Sequence, residues 1–166
     1  MIDYKKYGIG GREHLFRAWG VHEKRMYHFD LAKDVYAEEM IDSETPLTID
    51  YALSTLEDYV VMDYSNEKDK NGSKTFEGDI VSGFGIDAKK NITETRYVVC
   101  NGYYNNGELE DDISGNGWYL IAKIFIRGGI VECKTDEIWD FIFPNLSILE
   151  VTGNIFENEN LLTNLK

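Results

Sequence analysis

The pair Asn71-Gly72 lies between two runs of strand-forming residues, Tyr59–Tyr64 and Thr75–Ser82, and it constrains the fold more than any other feature of the sequence. Both residues of an Asn-Gly pair tolerate the positive φ that a tight hairpin turn needs. Gly78-Asp79, inside the second run, indicates a bulge or a tight turn. The chain has only 2 prolines among 166 residues and many Tyr, Val, Ile and Phe, so strands are favoured along its whole length.

The same patterns predict further elements on both sides of this hairpin. Residues 47–57 are ambiguous, because Thr48 is able to cap a short helix but the segment also fits a strand. The other predicted strands are Arg12–Trp19, Lys24–Asp30, Arg96–Tyr103, Trp118–Arg127, Ile130–Lys134 and Ser147–Thr152, and the predicted helices are Asp30–Ile41, Thr135–Phe143 and Glu157–Leu165.

Hairpin strands with a few short helices predict a compact α+β fold that is mainly antiparallel β. A small SH3-like barrel after Tyr59 is one topology that short strands and Gly-Asp corners allow. The length fits a single domain over residues 1–166, which has a possible division into an N-terminal part, 1–58, and a β-rich part, 59–166.

The charge balance argues against direct binding to nucleic acid. The chain has 17 Lys and Arg against 30 Asp and Glu, a formal net charge of −13, and no basic cluster to neutralise phosphates. The charge either keeps the protein monodisperse or forms an acidic surface for a basic partner. The densest acidic cluster is Glu108, Glu110, Asp111 and Asp112, which we predict to be a partner-binding loop.

The sequence predicts a cytoplasmic protein. No apolar segment approaches the roughly 20 residues of a membrane-spanning helix, and the N-terminal residues do not have the apolar stretch of a secretion signal. Cys100 and Cys133 lie in apolar strand-like runs and do not form a zinc motif, so we expect reduced thiols.

No pattern of catalytic or metal-ligating residues stands out. His14 and His28 would face each other if the first hairpin turns near residues 20–23, but a metal site needs further ligands. Asp112–Gly117 begins like a calcium loop, yet Lys123 occupies the position of the bidentate glutamate. The sequence therefore argues against an enzyme and predicts neither a cofactor nor a metal site.

Three segments in order resemble the signatures of one family. They are Arg12–Trp19 with Lys24–Tyr27, then Asp69–Gly72 with Phe76–Val81, and finally Glu150–Asn158 with Leu161-Leu162. On these residues the chain resembles the YopX-like proteins of phages and prophages of low-GC Gram-positive bacteria. The resemblance implies a mainly β fold and an accessory protein of the bacterial cytoplasm, with no known site residues to transfer.

Most signature residues are of core-filling or turn-forming types, but three charged residues are embedded among them. Arg17, Glu77 and Asp79 are predicted to form a polar cluster, in which the guanidinium would pair with a carboxylate. Such a cluster would either hold the fold together or bind a partner.

Three functions remain open from the sequence. The first is a protein-interaction module, with an unknown host or phage protein as partner or with further copies of itself, since Tyr and Trp are favoured at interfaces. The second is an acidic mimic of nucleic acid, which requires carboxylates projecting from one face. The third is a metal-dependent hydrolase, which requires a pocket where carboxylates converge.

Overall fold

The computed structural model describes residues 13–42, 44–86, 89–105, 114–127, 130–139 and 146–163. The chain divides into two compact units, the first ending at Asn66 and the second beginning at Glu67. The first unit extends beyond residue 58 because the strand that begins at Tyr59 pairs with the first strand of the chain. A single domain over residues 1–166 stays a prediction.

Strands make up most of the described residues, as the sequence predicts. In chain order the elements are β1 (Leu15–Gly20), β2 (Arg25–Asp30), β3 (Tyr36–Met40), β4 (Pro46–Thr48), α1 (Ile49–Ser54), β5 (Tyr59–Lys68), β6 (Lys74–Phe76), β7 (Asp79–Ile86), β8 (Ile92–Asn105), β9 (Ser114–Arg127), β10 (Ile130–Trp139), a 3-10 helix (Leu146–Ile148), β11 (Glu150–Asn154) and a second 3-10 helix (Glu159–Leu162).

An antiparallel sheet with the strand order β4-β3-β2-β1-β5-β6 contains the predicted first hairpin. β1 and β2 pair from Leu15↔Asp30 to Gly20↔Arg25, and β5 pairs with the other edge of β1. Alternate side chains of these strands share one face. On that face a core forms from Ala18, Tyr27, Phe29, Ala37, Leu47, Ile49, Ala52 and Tyr59.

The ambiguous segment 47–57 contains the short helix α1. Thr48 is its N-cap, and its side-chain oxygen accepts a hydrogen bond from the backbone N–H of Tyr51 at 3.2 Å. Ile49 and Ala52, three residues apart, are the buried positions of the helix. Of the two predictions for this segment, the short helix capped by Thr48 is therefore confirmed.

The predicted helix Asp30–Ile41 is wrong, because Asp30 caps a turn and not a helix. Its carboxylate accepts from the N–H of Ala32 at 3.2 Å, and the chain then returns as β3. Ala37 pairs with Phe29 and is buried against it, so the pairing between β2 and β3 overrides the weak helical spacing.

A second antiparallel sheet has the order β10-β9-β8-β7-β11. Val81, Val99, Leu120, Leu146 and Leu149 form its main core cluster. β10 and β11 are its two edges, so the described strands form an open sheet and not an SH3-like barrel. The predicted bend at Gly78 is confirmed, since this residue has φ +78° between β6 and β7.

The helix predicted from Thr135 is wrong as far as Trp139, and residues 140–143 lie outside the described ranges. β10 runs to Trp139, which pairs with Leu120 of β9. The helix preference that a single N-capping residue adds is smaller than the stabilisation that β10 gains by pairing with β9.

The Asn-Gly turn closes around a buried carboxylate. Gly72 has φ +83°, as a turn of this type requires. Asp69 Oδ1 accepts hydrogen bonds from the N–H groups of Asn71 and Ser73, both at 2.8 Å, and Asp69 Oδ2 accepts from the N–H of Val151 at 3.0 Å. One side chain thus connects the turn to β11, 82 residues further along the chain.

Candidate interaction surface

Three large apolar side chains are exposed at the far end of the β7–β8 hairpin. Phe84 is 65% exposed, Ile86 75% and Ile92 69%. Phe84 and Ile86 lie two residues apart on β7, so both project from the same face of the sheet. Ile86 pairs directly with Ile92, which places the third side chain on that face as well. We call Phe84, Ile86 and Ile92 the hairpin patch.

A fixed polar contact lies beside the hairpin patch. Glu94, the partner of Phe84 in the β7–β8 ladder, accepts from Arg96 Nε at 2.8 Å. Arg96 Nη1 donates to the carbonyl of Leu161 at 3.0 Å. The side chains of Glu94 and Arg96 are less than a fifth exposed, so the polar flank of the patch is held in place.

Part of the strand edge next to the hairpin patch has no partner strand among the described residues. β11 pairs with β7 only from Asp79 to Ser82. In the part of the chain that the structure describes, no strand pairs with the β11-side edge of β7 from Gly83 to Ile86. Unpaired backbone N–H and C=O groups on such an edge are able to accept an added strand.

The three residues of the predicted polar cluster belong to different units of the chain, Arg17 to the first and Glu77 and Asp79 to the second. Asp79 is buried, and its Oδ2 accepts from the N–H of Phe76 at 2.8 Å, which closes the turn between β6 and β7. Glu77 lies in the same turn. Arg17 is buried in β1 of the first unit, opposite His28 and Met62. A contact between Arg17 and either carboxylate stays a prediction.

Glu77 contributes to the environment of Cys100 in β8. Burial, and after it the Glu77 carboxylate, raises the pKa of the Cys100 thiol to about 11. Gly78, next to Glu77, donates its N–H to Val99 at 2.8 Å, which holds the turn beside β8. Cys100 is therefore protonated at neutral pH and a poor nucleophile.

The raised pKa of Cys100 predicts slow alkylation. In a Cys133→Ser variant at pH 8, we expect iodoacetamide to react about 100-fold more slowly than with free cysteine, and faster as the pH approaches 11. The rate is followed by intact-protein mass spectrometry. A rate within about fivefold of that of free cysteine would contradict the burial of the Cys100 thiol near the Glu77 carboxylate.

The match that decides the family covers almost the whole chain. The family model described as YopX protein matches residues 15–163, a range that includes the central and closing signatures and most of the opening one. The chain belongs to the YopX family. No curated protein matches it.

The hairpin patch of this YopX-family chain was missed at the sequence level because the strand was ended at Ser82. The signal was present as the alternation Gly83-Phe84-Gly85-Ile86, a period of two that extends β7 by four residues.

The sequence allows His14 and His28 to face each other across the first hairpin, and in the structure they do not. His28 is opposite Arg17, whereas the carbonyl of His14 accepts from the N–H of Leu31 at 3.0 Å. His28 Nδ1 is 2.7 Å from Glu39 Oε1. The turn at residues 21–24 sets a register in which the two histidines do not face each other.

The acidic loop residues Glu108, Glu110, Asp111 and Asp112 lie outside the described residues, so their role stays a prediction. Within the described ranges, no group of three or more His, Cys, Asp or Glu side chains is placed to hold a metal ion. The helices there are also too short and too polar for any of them to cross a bilayer.

Proposed function

We propose that this YopX-family chain is a phage or prophage accessory protein of the bacterial cytoplasm that works as a protein-interaction module. The observation that carries the proposal is the hairpin patch, three large apolar side chains that are each at least 65% exposed on one face. Single exposed apolar residues are ordinary, whereas a contiguous group on one face is typical of an interaction site.

The occupant that fits best is an extended segment of a different protein. It would add a strand to the open edge at Gly83–Ile86 and cover the patch with its own apolar side chains, so that backbone hydrogen bonds and apolar burial act together. Burying one Ile or Phe side chain contributes about 1.5–3 kcal/mol. A second copy of the chain fits less well, because two molecules of charge −13 repel each other at long range.

The proposal is tested by capture from lysate of the bacterial host with a patch variant. Phe84→Thr, Ile86→Thr and Ile92→Thr together remove the apolar surface but keep β-branched residues in the strands. The control is Leu56→Thr, which alters an apolar side chain of the same exposure as Phe84, 65%, in the first unit. We expect the wild type and the control to retain the same partner, and the triple variant to lose it by at least about tenfold.

The dependence on salt separates this function from the acidic mimic. A contact made by apolar burial survives a salt gradient, whereas exposed charge pairs are screened. A partner that elutes at low salt and binds the triple variant as well as the wild type would contradict the proposal.

A further inference from the structure

A cavity of about 410 Å³ lies in the first unit, and its lining residues do not include those of the hairpin patch. It is formed where the β1–β2 turn, the β3–β4 connection, the start of α1 and the start of β5 meet. Its lining residues are Glu23, Ile41, Thr45, Pro46, Thr48, Tyr51 and Tyr59. This volume is within the usual range for a site that binds a small molecule or a single side chain.

Two tyrosine rings form adjacent walls of the cavity. The rings of Tyr51 and Tyr59 meet edge to face, with centroids 6.1 Å apart and planes at 70°. Tyr27 packs against Tyr59 in the same manner, with centroids 6.0 Å apart. The carbonyl of Tyr51 accepts from the hydroxyls of Ser54 and Thr55, at 2.9 and 2.8 Å, which fixes the end of α1 and with it the exposed wall.

Glu23 is the one charged residue among the described residues that line the cavity. Its Oε1 accepts from the Tyr59 hydroxyl at 3.2 Å, and it forms no ion pair with any residue in the described ranges. A carboxylate accepts about four hydrogen bonds, so Glu23 keeps capacity for a donor inside the cavity. Burial first, and Glu23 second, raises the pKa of Tyr59, which keeps the phenol neutral and its O–H directed to the carboxylate.

A second carboxylate lies beside the lining residue Thr45. Asp42 Oδ1 accepts from the N–H groups of Glu44 and Thr45, both at 2.9 Å. The hydrogen bonds from Glu44 and Thr45 lower the pKa of Asp42, so this neighbour is also anionic at neutral pH. The cavity therefore combines aromatic walls, negative charge and no lining cation.

We propose that this cavity binds an organic cation, an ammonium or guanidinium group. Such a group would donate to Glu23 and lie against the rings of Tyr51 and Tyr59, which attract cations through their electron-rich faces. An anion would be repelled by Glu23, and a neutral apolar molecule would leave the carboxylate desolvated without a partner. The inference does not depend on the hairpin patch.

The cation comes either from a basic side chain of a protein or from a free amine, and calorimetric titration of the full chain distinguishes the two. N-acetyl-arginine amide represents the side chain, and tert-butylamine, which is protonated at neutral pH, represents the free amine. Their neutral isosteres, N-acetyl-citrulline amide and tert-butanol, are the controls. We expect one cation or both to bind saturably, with its isostere at least about tenfold weaker.

Variants connect the binding to the cavity. Glu23→Gln keeps an acceptor for Tyr59 but removes the charge, and we expect the cation to bind at least about tenfold more weakly. Tyr51→Leu removes one wall and should weaken binding as well. Glu57→Gln, an exposed carboxylate outside the cavity, should have no effect. Equal binding to wild type and Glu23→Gln, equal binding of cation and isostere, or no saturation by either cation up to about 20 mM would overturn the proposal.

Discussion

Replacing Asp69 with alanine is expected to lower the free energy of unfolding by about 4 kcal/mol, because three backbone N–H groups lose a charged acceptor at once. Asp69 is 5% exposed and accepts from Asn71, Ser73 and Val151. Hydrogen bonds to a charged group are worth about 1.5–3 kcal/mol each, and buried donors left without a partner add their desolvation cost. Urea denaturation followed by circular dichroism measures the change.

The control for Asp69 is Asp50→Ala, which removes an exposed carboxylate from the first turn of α1 and should cost only a few tenths of a kcal/mol. A loss below about 1 kcal/mol for Asp69→Ala would contradict the role of Asp69 as the link between the Asn-Gly turn and β11.

The contribution of Asp69 should also depend on pH. Burial by itself raises the pKa of Asp69, but the hydrogen bonds from Val151, Ser73 and Asn71 outweigh it and lower the pKa below its ordinary value. A carboxyl with a lowered pKa stabilises the fold above its unfolded pKa of about 3.9 and loses that contribution as the pH falls through the folded value. The difference between wild type and Asp69→Ala should therefore shrink below about pH 4.

Two phenylalanines in strands should respond to truncation in opposite ways. Phe29 is 2% exposed and packs in the core of the first unit, so Phe29→Ala should cost about 3–5 kcal/mol. Phe84, in the hairpin patch, is 65% exposed, so Phe84→Ala should change stability by no more than about 0.5 kcal/mol. Equilibrium denaturation of the two variants under the same conditions makes the comparison.

The comparison bears directly on function. If Phe84→Ala destabilises the protein by more than about 2 kcal/mol, the side chain is part of the core and the patch is structural. If the cost is small, any loss of partner binding on changing the patch is a loss of contact and not of fold.

Local turn chemistry was predictable from the sequence. Asn71-Gly72, Gly78 and the cap at Thr48 were each identified by residue type, because few residue types adopt a positive φ or cap a helix with a side-chain oxygen. Two predicted helices, 30–41 and 135–143 as far as Trp139, are strands in the structure. In both segments, pairing with a neighbouring strand outweighs the local helical pattern. Ala37 is a strand residue because Phe29 is beside it.

The candidate surface was less predictable than the fold. Charged residues have recognisable chemistry, so the sequence pattern points to Arg17, Glu77 and Asp79 as candidate site residues. Ile86 and Ile92 are of a residue type that usually lies in a core. Their exposure depends on which residues cover them in the folded protein, and a local sequence pattern does not show this. The cavity at Glu23 combines residues from four segments of the first unit, a combination that no local pattern indicates.

The most direct test of the interaction module is photo-crosslinking from the hairpin patch. A benzophenone amino acid replaces Ile86 in one protein and Leu56 of the first unit in another, and both are irradiated in lysate of the bacterial host. We expect one discrete crosslinked partner from position 86 and none from position 56. The same products from both positions, or none from position 86, would contradict the proposed interaction module.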